Sequence, residues 1–174
     1  MGKKSLNLNN NIYCDRRQKA GMTRAQASEA TFISENRIEK IENGKTLANP
    51  EDVYAMSQAY KDPGLCNYYC SNICRIGQEY IPEIESKTLS EIVISMLASL
   101  NSLNKQKERL IEIVADGKIE GNEIHDFANI QNQLEQLSVT VDTLQLWVNQ
   151  TIASGNIDKD KLEEVHKKIK EASK

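Results

Sequence analysis

Aromatic residues make up only 5% of this chain, and its 174 residues include just 8 glycines and 3 prolines. Sheet proteins draw on aromatic and β-branched side chains joined by Gly- and Pro-rich turns, so this composition argues against strands. No apolar run approaches the roughly 20 residues needed to span a bilayer, and Met1 to Asn11 is polar with no hydrophobic signal region. The expectation is a soluble, cytoplasmic chain with no membrane contact. Cys14, Cys66, Cys70 and Cys74 do not resemble a disulfide framework in a chain with such regular helical patterning, so reduced thiols in a reducing compartment are expected. Also missing are a nucleophile–base pair, a P-loop and a Gly-rich dinucleotide turn. The chain is therefore not expected to be an enzyme, and no cofactor, bound metal or small-molecule ligand is identifiable.

What remains is rich in Leu, Ile, Glu, Lys, Gln and Asn, and its 39% hydrophobic content is enough for a core. The fold class is read as all-α. Charge is unevenly spread along it. Residues 1–48 carry nine Lys/Arg and five Asp/Glu, a net +4, whereas residues 49–174 carry thirteen and twenty, a net −7. Local positive charge drives phosphate binding, so a nucleic-acid site belongs at the N-terminal end.

Helix signals punctuate that end. A first helix is expected from Asn11 to Ala20, with Ile12 on its apolar face and Gly21 as its stop. Thr23-Arg24-Ala25-Gln26 has capping-box form and opens a short helix ending near Thr31. Ser34 is a good N-cap for a helix that ends at Asn43-Gly44, with Ile33, Ile38 and Ile41 as a narrow buried stripe and Glu35, Asn36, Arg37 and Lys40 exposed. Asn49-Pro50 starts a further helix with Val53, Met56 and Tyr60 inward, ended by Asp62-Pro63-Gly64.

Residues 64–87 lack clean periodicity and are read as a Cys-containing helical connector between a domain at 1–63 and a helical dimerisation domain at 88–174. In the latter, a long helix from Leu89 to Val114 is expected to stop at Asp116-Gly117. A second long helix carries a heptad seam of Ile130, Leu134, Leu137, Val141, Leu144 and Val148. Packed antiparallel, the pair would leave apolar residues, with Trp147 a candidate, for a two-fold interface. The segments Ala115–Glu120 and Ala153–Asp158 repeat one corner pattern, which reads as similar turns within one bundle.

Two short helices joined by a tight turn, the second amphipathic and within a basic segment, have the geometry that places a helix in the major groove. The segments Ala20–Arg24 and Ile33–Lys45, above all "AGMT" and "IEKIENGK", resemble the XRE family of phage-repressor-like regulators. More loosely, "CNYYCSNIC", "IVADGKIEGNEI" and "TVDTLQLW" resemble members that join such a domain to a helical C-terminal region. The resemblance implies a lambda-repressor-like helix-turn-helix bundle followed by an antiparallel helical bundle. It also implies a transcriptional regulator acting as a homodimer on double-stranded operator DNA, with half-sites spaced about one DNA turn.

Carried over residue by residue, it implies base contacts from Glu35, Asn36, Arg37 and Lys40. Phosphate contacts are implied for Arg24, Ser34, Asn43 and Lys45. Ala27 and Thr31 depart from the family's usual Leu, and Phe32 replaces the usual turn Gly. Phe32 would either swing the following helix or supply the core volume the smaller residues give up.

Cys66, Cys70 and Cys74 recur every four residues, which on a continuous helix separates successive sulfurs by about 6 Å, too far for one ion. A zinc or redox site would need a helix break and a fourth ligand such as Cys14; the alternative is small apolar core residues. The competing functional reading is an antitoxin-like or adaptor module whose acidic bundle binds a protein, with DNA contact secondary or absent.

Overall fold

The computed structural model describes residues 11–115, 119, 121 and 123–172. All regular structure among them is helical. The chain divides into two compact units. One runs to Glu83 and takes in the chain from Asn149 onward, and the other is Ile84–Val148.

In the first unit, α1 (Ile12–Lys19) starts at Asn11, whose side chain accepts the Tyr13 N–H. Its inward residues are Tyr13 and Arg17; Ile12, expected to lead the apolar face, only packs at the edge of the core. Helices α2 (Arg24–Thr31) and α3 (Glu35–Glu42) follow, and α4 (Pro50–Ala59) begins with the expected Asn49 cap and Pro50. Ile38, Ile41, Val53, Met56 and Leu65 are almost fully enclosed and form the centre of this core with Tyr13 and Tyr60.

The stretch after Pro63 forms α5 (Gly64–Asn72), packed on α4, and α6 (Arg75–Tyr80), packed on α5. The α5–α6 approach depends on a missing side chain. A Cβ on the buried Gly77 would lie 2.1 Å from the Cys70 carbonyl oxygen. Cys66 Sγ lies 3.3 Å from Ser57 Oγ. All four cysteines are free and half-buried, and among the described residues no group of three or more His, Cys, Asp or Glu is placed to hold a metal ion.

In the second unit, Thr88 and Glu91 cap α7 (Leu89–Lys105) reciprocally. The single helix expected from Leu89 to Val114 is instead broken at Gln106, which leaves helical geometry and precedes α8 (Lys107–Val114). The physical reason lies in the polar run Asn104–Arg109, a turn and a half with no apolar residue to hold the helix on a core. The expected Asp116-Gly117 stop lies outside the described residues.

Helix α9 (Glu123–Ala153) carries the heptad seam, and Arg109 ties α8 to its start through Asp126 at 2.7 Å. The seam packs within the chain only in part, with Leu137, Leu144 and Val148 half-buried. Ile130 is buried, but Leu134 and Val141 remain exposed, while Thr143 and Leu146 from a neighbouring stripe are buried instead. On α7, Ile92 is enclosed and Leu89, Val93, Ile94, Leu97 and Leu100 are exposed. After a left-handed Gly155, α10 (Lys159–Ala172) closes the described chain with no buried residue. No helix among the described residues is long and apolar enough to cross a membrane.

Candidate nucleic-acid interface

Local hydrogen bonds define α2, the turn and α3 almost completely. Thr23 Oγ1 accepts the Gln26 N–H at 3.2 Å and Gln26 Oε1 accepts the Thr23 N–H at 2.9 Å, so the capping box satisfies the Thr23 and Gln26 orphan donors at the start of α2. At its other end the Thr31 hydroxyl donates to the Ala27 carbonyl at 2.6 Å and accepts the Ile33 N–H at 3.2 Å. This bracket spans Phe32, which adopts the left-handed conformation (φ 59°, ψ 21°). Ser34 then caps α3 by accepting the Arg37 N–H at 3.4 Å. Two eight-residue helices thus meet across a tight turn, the second held by Ile38 and Ile41 with its opposite side outward.

Residues 15–64 match the family model described as a helix-turn-helix domain. No curated protein and no solved structure matches the chain.

Within this helix-turn-helix domain the sequence-derived site residues separate into two groups. Glu35, Asn36 and Lys40 are exposed on α3 and make no ion pair or side-chain hydrogen bond among the described residues. Asn43 caps the end of α3 and, like Lys45 beyond it, is exposed. Ser34 is exposed but already engaged as the N-cap.

The two arginines are occupied. Arg37, read from the sequence as an exposed reader, is half-buried. It grips Asp52 with Nε 3.1 Å from both carboxylate oxygens and Nη2 at 2.5 Å from Oδ2. Asp52 also accepts the Asn49 N–H at 3.0 Å, so one buried carboxylate caps α4 and anchors α3. Burial works to raise the Asp52 carboxyl, but the hydrogen bonds from Arg37 and Asn49 outweigh it and leave it below the usual range. Arg24 donates Nε to Glu42 at 2.8 Å, with 39% of its side chain still exposed.

Glu42 is the functional-region residue that sequence reasoning missed. Its carboxylate is nearly inaccessible and also receives Arg17 Nε at 2.5 Å and Nη2 at 3.0 Å; Arg17 Nη1 donates to the Met22 carbonyl at 2.8 Å. Burial pushes Glu42 up, and the Arg17 and Arg24 hydrogen bonds overcome that and hold it low. A signal was available: Glu42 falls four residues after Ile38, on the edge of the buried stripe, and Arg17 falls four after Tyr13. This ion triad fixes α1, the start of α2 and the end of α3 to one another.

Phe32 supplies no core volume. It is 95% exposed, and the space left by the enclosed Ala27 and Thr31 is closed by the approach of α2 to α3 and α4 instead.

Proposed function

We propose that this chain is a sequence-specific, DNA-binding transcriptional regulator of the XRE type that acts as a dimer on operator DNA. One observation carries the reading. The helix-turn-helix domain presents an α3 whose apolar side is buried and whose Glu35, Asn36 and Lys40 are exposed and unengaged. Those three side-chain types suit cytosine, adenine and guanine edges respectively. Lys45, Asn43, Ser34 and the exposed part of Arg24 suit phosphates on either side. In place of the base contact expected of Arg37, its grip on Asp52 supports a positioning role.

The dimer is assigned to the second unit. Leu89, Val93, Leu97 and Leu100 form an exposed apolar stripe on α7, and Leu134 and Val141 lie open on the α9 seam. Apolar stripes of this kind on a lone chain mark an interface, and a heptad seam suits a second copy of the same helix.

The test is selection of bound duplexes followed by salt-titrated binding. The wild-type chain should show weak, salt-sensitive background binding and a tighter selected site. Asn36→Ala with Lys40→Ala should abolish the preference while circular dichroism stays unchanged. A doubly substituted chain that still selects the same site would refute the reading.

A further inference from the structure

Phe32 combines two unfavourable features that a glycine would remove together. Its backbone is left-handed, where a Cβ crowds the following carbonyl, and bulky residues rarely adopt it. Its ring is 95% exposed, a large apolar surface left in water. The turn is not loose around it: the Thr31 hydroxyl brackets it on both sides, and the next residue, Ile33, is buried in the core. The fold therefore holds this ring outward at a cost, and strain that persists at a defined place points to use.

The position narrows the use. Phe32 is two residues from the Ser34 cap, so its Cα lies within about 8 Å of the Ser34 Cα, and within about 11 Å of the first residue of α3, at roughly 3.8 Å per residue. The major groove is about 12 Å wide and 8.5 Å deep, so a helix entering it by its first turn brings the preceding turn to the groove edge. From Thr23 to Asn43, all of them described, no other large hydrophobic side chain is exposed. Base edges in that groove offer donors and acceptors, which an aromatic ring cannot use, and one apolar group, the thymine methyl.

We propose that Phe32 is a base-reading residue, its ring packing on the 5-methyl group of one thymine at the edge of the site entered by α3. This rests on the DNA-binding reading above and adds a contact that none of the polar residues makes.

The experiment uses the full chain and its selected duplex, with each thymine replaced in turn by deoxyuridine, which lacks only that methyl. Wild type should lose about fourfold in affinity at one position, the loss expected for removing one buried methyl-sized group. Phe32→Gly should bind the parent duplex more weakly and be indifferent to the same replacement. Its salt dependence should match wild type, since no phosphate contact is removed. Phe32→Leu should restore part of the methyl sensitivity. Melting of Phe32→Gly at or above the wild-type temperature excludes misfolding as the cause of weaker binding. If no thymine is methyl-sensitive, or if Phe32→Gly keeps both the affinity and the sensitivity, the assignment is overturned and the ring serves a protein contact instead. A wild-type chain that selects no duplex at all overturns the DNA reading itself, and this assignment with it.

Discussion

Glu42 holds two arginines from inside the fold, and the consequences of removing it follow from its surroundings. Glu42→Ala leaves the Arg17 guanidinium, whose side chain is only 9% exposed, without its counter-charge. Breaking a buried pair from one side costs about 3 kcal/mol, and the urea midpoint of the full chain should fall accordingly. Protonation acts in the same direction. Glu42 and Asp52 are both held below ordinary carboxyl values in the folded chain. Their contribution is therefore present above their unfolded values of about 4.3 and 3.9 and is lost as pH falls through the lower folded ones. Urea midpoints measured downward from pH 5 should drop steeply, and Asp52→Asn should flatten part of that slope. A midpoint independent of pH from 5 to 3 would show that these carboxylates are not coupled to folding.

Helices are fixed to one another by contacts that substitution can remove singly. The Arg37–Asp52 pair joins α3 to α4. Arg37→Ala leaves the buried Asp52 carboxylate without its guanidinium partner and should lower the urea midpoint. If Arg37 positions α3 without reading a base, the variant should weaken binding to all duplexes while leaving the order of base preference unchanged. A change in preference at a single base pair would instead make it a reader. The α5–α6 crossing is sensitive in another way. Gly77→Ala sets a methyl against the Cys70 carbonyl, and because backbone meets backbone there, neither side yields easily. A loss of about 2–3 kcal/mol is expected, as for overpacked cores, read from the thermal midpoint.

At the scale of the molecule, the open apolar stripe on α7 ties the proposed function to assembly. Leu97 is 56% exposed, so Leu97→Glu should leave the melting of the isolated chain nearly unchanged. In sedimentation equilibrium the variant should be monomeric at concentrations where wild type is a dimer, with a dimer dissociation constant raised at least about tenfold. Operator affinity should fall with it, since two half-sites are then bound separately. A dimer unaffected by this change would place the interface elsewhere.

Much of this was written locally in the chain. Thr23, Ser34, Asn49 and Thr88 cap their helices by bonds that reach no more than three residues, and Ile38 and Ile41 state the buried side of α3 by their spacing. Such interactions close within one turn, so the order of residues is sufficient to specify them. Which charges stay free was settled otherwise. Arg37 meets a carboxylate 15 residues away and Arg17 one 25 residues away, and the burial of Glu42 and the exposure of Phe32 likewise follow from how helices pack. Two helix faces with the same pattern can pack or remain open, and only the three-dimensional arrangement of their neighbours decides which charges are neutralised and which are left facing outward.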